Sequence, residues 1–194
     1  GQTITLWSPT GGTVEYSYDV DWGDLQTETG ITAANKTHEY DDAGTYTVSI
    51  TGQFGGLYMY NGSTADREAL VEFVNWGTSE VNSLYRYFYF CTKMVYSATD
   101  APDLTSLTGG SGSPLTGTRM YEMFRDCESV VTLDLSGWTN TDNITNLQFA
   151  FYDCNSLQTL NLTGWDTSNV STLVSACYNA GDATDGCAFT MPNL

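Results

Sequence analysis

Basic side chains are scarce. The 194 residues hold 6 Lys+Arg against 23 Asp+Glu, a formal net charge of −17, and Lys36 and Lys93 are the only lysines. Such a surface repels phosphate backbones and anionic bilayers, which argues against nucleic acid and membrane-surface partners. Cations, or a high-salt setting that screens self-repulsion, suit it better. Histidine is nearly absent too. His38 stands alone and has no Ser or Cys in matching context, so it makes a poor general base and the chain reads as a non-enzyme. No run reaches the ~18 uninterrupted apolar residues of a spanning helix, so direct membrane insertion is not expected. The N-terminus lacks a basic then apolar leader; the expectation is a removed export signal or a fragment of a longer chain. The five cysteines show no CxxC spacing, which argues against zinc, and no cofactor is expected beyond the calcium considered below.

What remains is aromatic and glycine-rich: 13% aromatic residues, 19 Gly and 4 Pro, with only 15% of residues charged. That composition folds, and the length buries a real core as one domain or, as expected here, two. Internal repetition organises most of it. Trp76, Trp138 and Trp165 are each preceded by apolar residues five and three positions earlier: Val71 and Phe73, Leu133 and Leu135, Leu160 and Leu162. That is strand alternation. Downstream, Leu84, Met120, Leu147 and Leu173 open a second pattern. Four residues on lie Phe88, Phe124, Phe151 and Cys177, and seven on lie Cys91, Cys127, Cys154 and Ala180. Steps of four and three predict one face of a short helix. Cys127 and Cys154 are 27 residues apart, as are Trp138 and Trp165, whereas Cys91 and Cys127 are 36 apart, with an irregular stretch at 101–118 between them. The expected unit is strand, Trp-containing turn, short helix, stacked on its neighbours to share a core. Polar runs such as Thr141-Asp142-Asn143 and Thr167-Ser168-Asn169 suit the bends and caps between them.

The stretch "LDLSGWTNTDNITNLQFAFYDCNSLQTLNLTGWDTSNVSTL" resembles the BspA-like leucine-rich repeat of bacterial, and some virus-encoded, surface proteins. "VNWGTSEVNSLYRYFYFCTKMVYSATDAPDL" resembles that family's opening repeat, and the likeness covers about 54–194. Residues 1–53 resemble a polycystic-kidney-disease (PKD) type β-sandwich in "DWGD" at Asp21 to Asp24 and "HEYDDAGTYTV" at His38 to Val48, departing from that pattern at Leu25. The expected fold is therefore mixed β and α: a small Ig/PKD-like sandwich over 1–53, then over 54–194 a short right-handed leucine-rich solenoid of about four coils. The resemblance implies a non-enzymatic, extracellular, cell-surface or virion-surface protein that mediates adhesion or recognises a protein or glycan on a cell or particle surface. The alternative is a structural subunit that self-assembles, as a decoration, fibre or appendage of a virus particle or extracellular filament.

Several residues are candidates for sites. Glu72, Asp134, Ser136, Asn161 and Thr163 flank the inward strand positions and are expected to line an open binding face. Tyr85 and Tyr87, with Arg86, could form an aromatic recognition patch or face the core. Asp19, Asp21 and Asp24, with Asp41 and Asp42, could gather around calcium, although none follows an EF-hand spacing and Asp also serves ordinary turns. Cys91, Cys127 and Cys154 could form bridges between coils or pack as buried thiols. Cys177 with Cys187 is the pair best placed for a disulfide. Sequons at Asn35, Asn61, Asn143, Asn161 and Asn169 could arise by chance in so Asn- and Thr-rich a chain. Residues 179–194 could cap the stack or open a further strand.

Overall fold

The structure, a computed structural model, describes residues 1–9, 15–78, 80–107 and 119–181. Five strands, β1 (Gln2–Leu6), β2 (Ser17–Asp21), β3 (Thr27–Ile31), β4 (Lys36–Tyr40) and β5 (Ser49–Gln53), form two antiparallel sheets, one pairing β1 with β4 and the other ordered β3-β2-β5. Alternation explains what is buried: Tyr18 and Val20 of β2 turn inward while Ser17, Asp19 and Asp21 face water. Trp22, fully buried, joins the sheets by stacking on His38 of β4 at 4.5 Å, and the Tyr40 hydroxyl donates to the Trp22 carbonyl. The turn of "DWGD" needs its glycine. Gly23 has φ +80°, and a Cβ there would lie 2.6 Å from the Thr47 carbonyl oxygen.

Direct bonds fasten these strands to residues 54–69. The Trp7 carbonyl accepts from Tyr58 N, and Ser8 Oγ lies 3.1 Å from the carbonyl oxygens of Phe54 and Gly56. Asp66 takes Trp7 Nε1–H on one oxygen and Thr5 N–H on the other, while closing the capping box with Ser63 that starts α1 (Thr64–Ala69).

From Phe73 onward the chain stacks on itself. β6 (Glu72–Phe73) pairs in parallel with β7 (Val95–Tyr96), and β8 (Thr132–Asp134) with β9 (Thr159–Asn161), setting Leu133 beside Leu160 and Asp134 beside Asn161. Isolated parallel bridges link Glu80 with Asp103 and Asn146 with Thr172. Trp76 meets Trp138 edge-on at 5.4 Å, and Trp138 stacks on Trp165 at 5.6 Å. Phe88, Phe124 and Phe151, all fully buried, form a second column with centroids 5.2 and 5.8 Å apart. A third column is sulfur: the Cys127 thiol donates to the Phe88 carbonyl and the Cys154 thiol to the Phe124 carbonyl, one coil back in each case. All three stacked cysteines are free thiols, so no bridge between coils forms among them.

The expected fold class needs correction. The chain is largely strand and turn, its sheets are small and do not close into a solenoid, and α1 is the one α-helix among the described residues. The predicted short helices at 84–91, 120–127, 147–154 and 173–180 are turn ladders. Alternate N–H groups leave the segment altogether: Arg86, Phe88 and Phe90 donate to the carbonyls of Tyr121, Met123 and Arg125, and Glu122, Phe124 and Asp126 to those of Gln148, Ala150 and Tyr152. Intervening N–H groups close four-residue turns, as Cys91 to Phe88 and Cys127 to Phe124. The left-handed conformation recurs at the third and seventh positions of every segment: Arg86 and Phe90, Glu122 and Asp126, Phe149 and Asp153, Ser175 and Asn179. A helix would need those donors for carbonyls four residues back, and eight residues are too few to sustain one alone. The turn ladder still buries first, fourth, fifth and eighth positions, such as Met120, Met123, Phe124 and Cys127, which is the burial pattern of a helix.

One strand position also departs from expectation. Val71 is 43% exposed, whereas its counterpart Leu133 is fully buried; Val71 sits just before the two-residue β6, where its carbonyl serves Val95. The stretch 108–118 of the expected irregular loop, and 182–194 of the expected cap, lie outside the described residues.

Candidate binding face

The strand face carries Glu72, Asp134, Ser136, Asn161 and Thr163, and one oxygen of each carboxylate is committed internally. Asp134 Oδ1 accepts from Ser136 N, from Ser136 Oγ and, across coils, from Asn161 Nδ2 at 3.0 Å. Asn161 Oδ1 accepts from Thr163 N, and Glu72 Oε1 accepts from Ser97 Oγ. The Ser136 bonds hold the Asp134 carboxyl below the usual carboxylate range. These residues brace the turns after each strand, a duty that Asp103 with Thr105 and Asp166 with Ser168 repeat.

The outer face of the turn ladder is different in kind. Arg86 and Glu122 occupy the same ladder position one coil apart, and Arg86 Nε pairs with Glu122 Oε2 at 2.5 Å. Arg125 grips the other carboxylate oxygen and also Asp126. Glu122 is only 2% exposed, so both its oxygens depend on these partners. Burial alone would lower the Arg86 and Arg125 pKa values; Glu122 outweighs it and raises both. Each guanidinium also lies over rings, Arg86 at 3.8 Å from the Tyr60 centroid and 4.9 Å from Tyr85, Arg125 at 4.9 Å from Tyr152. Arg67 adds a third cation over Tyr89 and Phe90 while donating to the Met59 and Tyr60 carbonyls.

Around these cations runs a file of rings. Tyr58, Tyr85, Tyr121, Phe149, Tyr152 and Tyr178 succeed one another with centroids 5.9, 5.5, 5.9, 5.6 and 5.0 Å apart. Its far end is open, with Tyr178 57% exposed, and Tyr60 beside its near end is 40% exposed. Of the two predicted tyrosines, Tyr85 joins this file, largely covered between Tyr58 and Tyr121. Tyr87 does not. It lies in the core against Trp76 and Phe88, its hydroxyl pKa pushed up by burial. The motif "LYRYFYF" alone displays only the first segment of the file. Carrying the repeat alignment on gives Tyr121 at the position of Tyr85 and pairs Tyr152 with Tyr178, while Phe149, at another position, joins the two pairs; the Arg86–Glu122 match at one repeat position gives the ion pair.

The remaining candidates stay apart from this face. Asp19 Oδ1 accepts from Gly30 N, Asp21 Oδ1 from Gly23 N, and Asp24 bonds Gln26 N and His38 Nε2, the last at 2.8 Å. Burial works against the Asp24 charge, but His38 and Gln26 hold its carboxyl below the ordinary range. No group of three or more His, Cys, Asp or Glu able to hold a metal occurs among the described residues. Burial pushes the Cys91 and Cys127 thiols up and the Cys154 thiol up to about 12, so none is a ready nucleophile. Cys177 is disulfide-bonded; Cys187, its expected partner, lies outside the described residues. Four sequon side chains hold internal bonds, those of Asn35, Asn143, Asn161 and Asn169, while Asn61 is exposed. Among the described residues no helix is long and apolar enough to cross a membrane.

Residues 57–186 match the family described as "Mycoplasma protein of unknown function, DUF285". The chain belongs to that family. The match begins at Leu57, takes in all four turn-ladder segments and contains the whole aromatic file. No curated protein and no solved structure matches the chain.

Proposed function

We propose that this member of the family is a non-catalytic recognition protein of an outer surface, of a cell or a virion. In this reading the repeats are of the BspA-like kind, the N-terminal sheets are a PKD-like spacer or attachment unit, and the partner is a protein or glycan on a cell or particle. The observation that carries the reading is the file of rings from Tyr58 to Tyr178, braced by Arg86, Glu122 and Arg125 and ending in exposed Tyr178. Rigid aromatic side chains supply contact area at low entropic cost, and rings locked by cations and neighbours are pre-organised for it. The strand face offers short polar side chains, several of them engaged in turns or with the neighbouring coil, and no run of rings.

The test is adhesion of fluorescently labelled protein to cultured epithelial cells, read by flow cytometry, for wild type and a Tyr60→Ala/Tyr178→Ala double variant with unchanged circular dichroism. Saturable adhesion that the double variant loses is expected. Absence of adhesion, or equal adhesion by the variant, refutes the proposal; reversible self-association in light scattering, equal in both proteins, would favour the structural-subunit alternative.

A further inference from the structure

We infer that the aromatic face takes an uncharged chain of pyranose rings, an inference that rests on the recognition function proposed above. A pyranose presents a flat patch of C–H groups and a rim of hydroxyls. The patch packs on an aromatic face through dispersion and burial of apolar area, and the rim seeks fixed acceptors and donors. Both are on this face. Phe149, Tyr152 and Tyr178 offer half-buried to exposed rings in adjacent coils. The seventh ladder positions of successive coils, next in sequence to Arg125, Tyr152 and Tyr178, are Asp126, Asp153 and Asn179, each in the left-handed conformation, with one Asp126 oxygen held by Arg125.

Charge selects among sugar chains. Burial pushes the Asp126 carboxyl above the ordinary carboxylate range, the charges of Asp153 and Glu128 push the same way against the pull of Arg125, and the whole chain carries −17. A sulfated or uronic acid chain would meet carboxylates at this rim, whereas a neutral chain gives them hydroxyl donors. Between the inner segments the backbone is spent: N–H groups of Glu122, Phe124 and Asp126 serve Gln148, Ala150 and Tyr152, and those of Phe149, Phe151 and Asp153 serve Val174, Ala176 and Tyr178, so no peptide strand inserts between these coils.

Titration calorimetry with cellohexaose, maltohexaose and chitohexaose tests this, using the full chain, with a trigalacturonate control. At least one neutral hexamer is expected to bind. Tyr178→Ala is expected to weaken it roughly ten-fold, the loss of about one stacked ring contact, and Asp153→Asn to weaken it while leaving the fold unchanged. Binding of none of the three, equal binding by Tyr178→Ala, or equal binding of trigalacturonate overturns the inference. If the hexamers fail while cell adhesion is lost in the Tyr60→Ala/Tyr178→Ala variant and after protease treatment of the cells, but survives periodate, the face binds protein: the recognition function stands and the ligand class falls. If adhesion is absent as well, both fall.

Discussion

Replacing Ser175 with glycine and, separately, with valine separates a turn ladder from a helix by the sign of one effect. Ser175 has φ +50° and its side chain is exposed, so the substitutions act mainly through the backbone. An L-residue in the left-handed region costs about 1–2 kcal/mol. Glycine removes that cost but returns about 0.4–1 kcal/mol of unfolded-chain entropy. The balance is a stabilisation of roughly 0.5–1 kcal/mol for Ser175→Gly. In a helix the same change would destabilise by about 0.5 kcal/mol. Valine, β-branched and ill suited to positive φ, should destabilise by about 1–2 kcal/mol. Urea unfolding at constant slope gives the free energies, and thermal melting should shift by about 2–4 °C per kcal/mol for a chain of this size. A glycine variant less stable than wild type, or a valine variant equal to it, would refute the ladder at this segment.

The packing leads to three further expected outcomes. Phe124→Ala removes the middle ring of the Phe88–Phe124–Phe151 column and should cost about 3–5 kcal/mol in the same unfolding assay; a loss under about 1 kcal/mol would mean the column does not bear on stability. Glu122→Gln keeps the shape but leaves Arg86 and Arg125 facing a neutral amide, and should cost about 1–2 kcal/mol after allowing for the partly exposed arginines, with Arg86→Met less harmful in the Gln background than in wild type. Burial raises the Tyr18 and Tyr96 hydroxyl pKa values to about 12. The folded state therefore binds these protons more tightly than the unfolded state. Their contribution is complete below the ordinary tyrosine value of about 10 and is lost as pH rises through about 12; tyrosinate absorbance followed with circular dichroism should show these tyrosines ionising only as the fold is lost, and free titration of all 13 Tyr in an intact fold would contradict it.

The stacked columns were legible in the recurrence itself, whereas the solenoid of strands and short helices read from it did not form. Trp138 and Trp165, Phe124 and Phe151, and Cys127 and Cys154 are 27 residues apart and lie on one another. What the recurrence left undecided is the backbone between the columns. Burial at first, fourth, fifth and eighth positions is common to a helix and to this ladder, so periodicity is silent on which one forms; the decision rests on donors such as Phe88 and Phe124 finding carbonyls in the next coil, a partner no local pattern displays. Sidedness was half legible. Tyr85 and Tyr87 are both aromatic and two residues apart, yet one lies in the ring file and the other in the core, because the turn at Arg86 breaks simple alternation. The strand face looked available because Asp134 and Asn161 are polar and outward, but their small side chains reach the turn and the neighbouring coil.

Scalar couplings across backbone hydrogen bonds, measured by NMR on labelled protein, test the central claim most directly. The structure predicts couplings from the amides of Phe88, Phe124 and Phe151 to the carbonyls of Met123, Ala150 and Ala176. Couplings from those amides to Leu84, Met120 and Leu147, four residues back in the same segment, would contradict it and restore the helix.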